Sequence, residues 1–247
     1  MIKQEREEGK KMKVTIVYDN TASQGFRSGW GFSCLVDQRI LFDTGEAAEP
    51  LFYNLNRLEC DLDRIQAVVI SHDHWDHTGG LEEFLNKRSG LKVYACPGFS
   101  QEFKNMVGQL GGKLRESDTF LDIDDEITVT GEISGKYKGL YMPEQALIVK
   151  TKTGISLITG CSHPGIVVMI QKIKEKFPQH TILTVLGGFH LMDKDENTIQ
   201  SIVQSMKDMK VENVGPTHCT GQAAQMVFKK SYGKHYIAIS AGKTVEV

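Results

Sequence analysis

A short apolar run, Ala67-Val68-Val69-Ile70, breaks off into His72-Asp73-His74-Trp75-Asp76-His77, and no other stretch limits the architecture of this chain so tightly. A brief run of this kind reads as a buried strand, so the polar cluster must lie at the strand's tip. On an extended backbone His72 and His74 point to the same side, because side chains alternate with period two. Asp76 and His77 fall where the chain turns toward a helix opened by Gly79-Gly80, and they serve a second point in space. Zinc accepts neutral imidazole nitrogens and carboxylate oxygens, so both pairs suit a metal.

The same local grammar recurs three times. Ile158-Thr159-Gly160-Cys161-Ser162-His163, Val185-Leu186-Gly187-Gly188-Phe189-His190 and Val214-Gly215-Pro216-Thr217-His218-Cys219 each carry a histidine just past a strand-like run. Glycine lets the backbone turn sharply and approach a ligand closely. One strand-end histidine is more often a hydrogen-bonded structural residue than a ligand. Three of them beside the 72–77 cluster point to a shared task.

Strand-like and helical runs alternate along the rest of the chain. Strands are expected at 14–18, 32–36, 40–42, 67–71, 92–95, 127–130, 146–151, 155–159, 181–186, 211–215 and 236–240. Helices are expected at 51–58, 81–87, 101–110, 166–176, 198–209 and 222–229. No low-complexity linker intervenes. Two β-rich halves, each ending in helices, predict two sheets packed face to face with helices outside. Residues 1–12 read as a charged, mobile tail and 13–247 as a single domain. The segment 131–145 lacks periodicity and reads as a flexible loop joining the halves. Its Lys136 and Lys138, with Tyr137 and Tyr141, could clamp an anionic, ring-bearing substrate.

Charge and cysteine usage narrow the function. A net charge of −2 offers no electrostatic footprint for nucleic acid. The apolar runs are too short to cross a membrane, and Met1 to Lys13 has no apolar core of a signal peptide. A cytoplasmic location is therefore expected. Cys34, Cys60, Cys96, Cys161 and Cys219 are scattered and lack CxxC spacing, which suits a reducing compartment. Cys161 and Cys219 lie beside candidate ligands. Alternation on an extended chain sends neighbours to opposite sides, so both read as buried structural residues.

Taken together, these segments resemble the metallo-β-lactamase-fold metallohydrolases over roughly residues 13–247. His72-x-His74-x-Asp76-His77 is similar to the superfamily's central motif. The resemblance implies a four-layer αββα sandwich of two mixed β-sheets flanked by helices. It implies two metal ions: His72, His74 and His163 on one, Asp76, His77 and His218 on the other. Asp43, in Leu41-Phe42-Asp43-Thr44-Gly45, matches an aspartate that orients the ligands from behind. Zinc is the expected metal, although imidazole also suits iron, manganese and nickel.

The superfamily usually places an aspartate that bridges both metals where this chain has His190. Two zinc ions with Asp76 and one hydroxide would then carry about +2, against about +1 with the aspartate. A weaker second metal site follows, or one completed by an anionic substrate oxygen. His190 could contact a metal, a proton or the substrate, and Asp76 and His190 are the candidate catalytic groups.

The implied activity is hydrolysis by a metal-activated hydroxide of a small anionic substrate: a phosphoester, lactone or thioester. Within the superfamily, the segments at 71–81, 160–163, 187–191 and 218–221 look like a branch of dihydropterin/ribofuranosyl-aminobenzene phosphate synthases. A transferase is thus the alternative, and a non-catalytic metal-binding protein a third. The chain is too short for the insert of the nucleic-acid-processing branch, and His74 stands where flavodiiron members carry Glu.

Overall fold

Period-two alternation on the strands decides how this chain layers. The computed structural model describes residues 11–247. The first half runs β1 (Lys13–Tyr18), β2 (Ser33–Val36), β3 (Ile40–Phe42), α1 (Ala48–Arg57), β4 (Ala67–Val69), α2 (Trp75–Thr78), α3 (Leu81–Lys87), β5 (Lys92–Ala95), α4 (Gln101–Gln109) and β6 (Lys113–Glu116). The remainder runs β7 (Leu121–Asp122), β8 (Ile127–Val129), β9 (Lys136–Tyr137), β10 (Leu140–Tyr141), β11 (Leu147–Lys150), β12 (Ile155–Thr159), α5 (Ile166–Lys176), β13 (Ile182–Gly188), α6 (Glu196–Asp208), β14 (Asn213–Thr217), α7 (Gln222–Tyr232) and β15 (Thr244–Glu246).

One sheet has the order β15-β1-β2-β3-β4-β5-β6, the other β14-β13-β12-β11-β8-β7. Both are mixed. Strands β3 to β6 are parallel neighbours, as are β12 to β14, and the remaining pairs are antiparallel. Ile40, Phe42, Ala67 and Val69 of the first sheet meet Leu147, Val149, Ile158 and Leu186 of the second in a central cluster. The alternate residues Leu41 and Val68 face outward onto Leu51 of α1, Phe84 of α3 and Phe103 of α4. On the other side Ile148, Leu157 and Val185 pack on Ile170 of α5, Val203 of α6 and Phe228 of α7. This is the four-layer αββα arrangement expected from the sequence.

Several expectations need correction. Residues 1–10 of the expected tail lie outside the described residues, but Met12 is buried and exchanges backbone hydrogen bonds with Val247. The packed domain therefore begins before residue 13. Residues 236–240 form a single bridge, Val214 with Tyr236, and the last strand is β15. Strand β6 is absent from the expectation because Lys113-Leu114-Arg115-Glu116 is a largely exposed edge strand with no apolar face to betray it. Helix α6 starts two residues early because Asp195 caps it, accepting the backbone N–H of Thr198.

The flexible loop expected at 131–145 is instead a built hairpin. Strands β9 and β10 pair across Lys138-Gly139, whose φ values are +50° and +79°. Two successive positive φ angles match the twist of a tight hairpin. Tyr141 donates its hydroxyl hydrogen bond to Glu132, and Ile133 pairs with Glu144 at the hairpin's base.

Candidate metal centre

The parallel strands of both sheets deliver their C-terminal ends to one region, the usual place for a site in open α/β sheets. Asp43 follows β3, His72 follows β4, Cys161 and His163 follow β12, His190 follows β13 and His218 follows β14. Asp43, Ser162, His190 and His218 all adopt left-handed backbone, with φ of +54°, +63°, +51° and +51°. Such conformations cost of order 1–3 kcal/mol each for non-glycine residues. Each fully buried aliphatic or aromatic side chain returns roughly 1.5–3 kcal/mol, so three packed clusters readily hold four strained turns in place. Gly160 permits a close approach between the turns after β12 and β4, since a Cβ there would overlap Ser71 Oγ.

One carboxylate orients two of the histidines. Asp43 is fully buried. Its Oδ2 accepts from His77 Nδ1 at 2.7 Å and from Ser71 Oγ at 2.8 Å, while Oδ1 accepts from Ser71 N at 2.7 Å. Ser71 Oγ in turn accepts from His72 Nδ1 at 2.8 Å. Both rings therefore donate from Nδ1 and turn Nε2 into the site, where a metal would take it as a lone pair. Across the cleft, Asn20 Oδ1 accepts from His218 Nδ1 at 2.9 Å and frees His218 Nε2 in the same way.

The six expected metal ligands converge in two sets. His72 Nε2 faces His74 Nδ1 at 3.1 Å, and the His72 and His163 rings lie 4.7 Å apart. His218 Nε2 lies 3.2 Å from Asp76 Oδ2, and His77 Nε2 lies 3.8 Å from the same oxygen. Both ring nitrogens of His163, Nδ1 of His190 and Nε2 of His218 are buried without a hydrogen-bond partner. Buried polar atoms are rarely left so. Orphaned imidazole nitrogens beside a carboxylate are a donor set that fits divalent metal ions.

Electrostatics favour the protonation states a metal requires. Burial, together with the neighbouring imidazoles, holds His72 well below the usual imidazole range and takes His163 down to about 3. Burial opposes ionisation of Asp76, but His218, whose Nε2 lies 3.2 Å from its Oδ2, and the His77 charge outweigh it and hold the carboxyl below its ordinary range. His77 behaves differently. Burial disfavours its cation, yet the Asp43 charge and hydrogen bond prevail and raise it to about 9.

Four participants are not among the sequence-predicted ligands. Glu144 is buried, and its Oε1 accepts the backbone N–H groups of Cys161 and Ser162 at 2.9 and 2.8 Å. Its Oε2 accepts that of His163 at 2.7 Å, so one side chain clamps the whole turn. Asn20 holds His218, as above. The Tyr137 ring centre lies 4.8 Å from that of His74 and 5.2 Å from that of His163, in edge-to-face contacts that place the β9–β10 hairpin over the cluster. Cys161 lies among the candidate ligands rather than behind them. The alternation argument fails because Cys161 and His163 are two apart and Ser162 has a positive φ.

Lys136 and Lys138 lie on the same hairpin, exposed, and line a cleft with Trp30, Tyr137, His190 and Lys194. No described helix is long and apolar enough to cross a membrane.

Known proteins agree with this architecture. The chain is 28% identical to 7,8-dihydropterin-6-methyl-4-(beta-D-ribofuranosyl)-aminobenzene-5'-phosphate synthase of Methanocaldococcus jannaschii, over 90% of this chain and 91% of that one. The solved structure of a metal-dependent hydrolase of the beta-lactamase superfamily superposes with a TM-score of 0.81 at 31% identity, covering 96% of this chain and 99% of that one. A metallo-beta-lactamase fold protein from Bacillus subtilis shares the fold at a TM-score of 0.69 and 14% identity, covering 95% and 99%. The family model for the metallo-beta-lactamase superfamily matches residues 34–218, a span that contains Asp43, the 72–77 cluster and all three later histidines. The chain belongs to the metallo-beta-lactamase superfamily.

Proposed function

We propose that this protein is a metal-dependent hydrolase of a small anionic substrate. His72, His74 and His163 hold one ion, and Asp76, His77 and His218 hold the other. Zinc suits these donors. Such ions supply Lewis acidity and lower the pKa of water toward about 7. The observation that carries this reading is the convergence of two histidine sets, with orphaned nitrogens, beside a cleft lined by His74, Asp76 and His163.

The chain's own groups divide the remaining work. Asp76 accepts the proton of the attacking water. His190, which its contact with Cys219 holds above the usual imidazole range, donates a proton to the leaving group. Lys136, Lys138 and Lys194 bind the substrate's anionic part, and Trp30 and Tyr137 bind a planar ring. A phosphoester, lactone or thioester would fit this division. The test is a screen of those three classes with the metal-loaded protein, repeated with His72→Ala. Turnover that depends on His72 supports the reading, and turnover unchanged by the substitution refutes it.

A second reading is a transferase that joins a dihydropterin pyrophosphate to a ribofuranosyl-aminobenzene phosphate, with pyrophosphate leaving and one proton released. Its support is the similarity to the Methanocaldococcus synthase along nearly the whole of both chains. The lysine-and-aromatic cleft suits a phosphate-bearing ring equally well. Mass spectrometry of the products from those two reactants separates the readings, because a coupled product with no hydrolysis identifies the transferase.

A further inference from the structure

The superfamily's bridging carboxylate is missing from the end of β13, where this chain has His190. What lies between the two ligand sets is a sulfur. The donor atoms of His72, Cys161 and His163 lie within 4.8 Å of one another, and so do those of His77, Cys161 and His218. Cys161 is the residue common to both sets. Its Sγ lies 3.4 Å from His77 Nε2, and the side chain is buried. His218 Nε2, in a residue 2% exposed, has no hydrogen-bond partner and belongs to the same group. Glu144 fixes the Cys161 backbone by accepting its N–H, so the sulfur's position does not depend on a mobile turn.

We propose that Cys161 bridges the two metal ions as a thiolate, in place of the absent carboxylate. The inference rests on the two-metal reading above. On binding, the thiol loses its proton to solvent and the sulfur forms one bond to each ion. The thiolate lowers the charge of the pair by one, as an aspartate bridge would. It also removes the reason to expect a weak second site. Zinc and related ions accept thiolate alongside imidazole. Cys219 is the control. Its donor atom groups within 4.8 Å with those of Cys161 and His190 rather than with the two sets above, and its Sγ lies 3.6 Å from the Cys161 carbonyl oxygen.

X-ray absorption spectroscopy of the zinc-loaded full chain tests this without any variant. The expected spectrum has a sulfur shell at about 2.3 Å, amounting to one sulfur per zinc, because a single bridging thiolate is seen from both ions. Cys161→Ser should lose that shell and bind at least one ion more weakly, beyond the roughly 10–100-fold that loss of an outer partner costs. Cys161→Asp should keep two ions with no sulfur shell, and Cys219→Ser should keep the shell. Two bound ions with only nitrogen and oxygen neighbours would overturn the bridge and leave the hydrolase reading standing. An average of about half a sulfur neighbour per zinc, the value for a thiolate bound to only one of the two ions, would also overturn it, as would a shell that survives Cys161→Ser and vanishes in Cys219→Ser. Failure to bind metal at all would overturn both readings.

Discussion

Asp43 Oδ2 accepts a hydrogen bond from His77 Nδ1 at 2.7 Å, and through Ser71 Oγ the same oxygen orients His72. A single buried carboxylate thus orients one histidine of each proposed metal set. Asp43→Asn removes the charge that both histidines lean on. Metal affinity should fall by about 10–100-fold, the range for outer partners of metal ligands, and it should fall at both sites. Calorimetric titration with zinc measures this. A loss confined to one site would show that the two histidines are oriented independently.

The same pair makes stability depend on pH. In the metal-free protein His77 titrates near 9, raised from 6.5 by Asp43 against the effect of burial. A group whose pKa is raised on folding contributes fully below its unfolded value and loses that contribution as pH climbs through the folded one. The melting temperature of the metal-free protein should therefore decline from about pH 6.5 to about pH 9. Asp43→Asn should flatten that decline, and so should saturating zinc, because a ligated His77 is already neutral. Thermal melts across this window check the sign.

Glu144 accepts three backbone N–H groups from the Cys161–His163 turn. Glutamine can present only one acceptor oxygen, and its amide would set a donor against a donor. Glu144→Gln should destabilise the fold by about 1–3 kcal/mol, the range for buried unsatisfied groups, as read by urea unfolding. It should also weaken metal binding, because His163 would lose its fixed backbone. Unchanged metal affinity would make Glu144 a purely structural clamp.

The substrate cleft invites a charge test. Replacing Lys136 and Lys138 together with alanine should raise KM for an anionic substrate while leaving kcat near its original value, the pattern for lost uniform binding. Both lysines are solvent-exposed on the β9–β10 hairpin, so the fold should tolerate the change. Steady-state kinetics at low and moderate salt checks it. An unchanged KM would remove both lysines from the substrate site.

How much of this could be read in advance depends on whether the signal was local. The 72–77 cluster and the three glycine-flanked histidines are short motifs at strand ends, and the structure brings them together as a set. The β3, β12 and α5 spans coincide with expectation because period-two and helical patterns are strong there. Asn20 is different. It meets His218 across 198 positions of chain, and nothing local in Asp19-Asn20 announces that meeting beyond a polar pair at a strand's end. Glu144 likewise sits in a stretch whose strands are two residues long, too short to show a period. Cys161 was legible in kind but not in direction, because a left-handed Ser162 redirects the turn.

The central claim is that two metal ions share this cleft. Anomalous diffraction from zinc-loaded crystals, recorded at the zinc absorption edge, addresses it most directly. Two peaks are predicted, one among His72, His74 and His163 and the other among Asp76, His77 and His218. A single peak, or peaks away from these side chains, would contradict it.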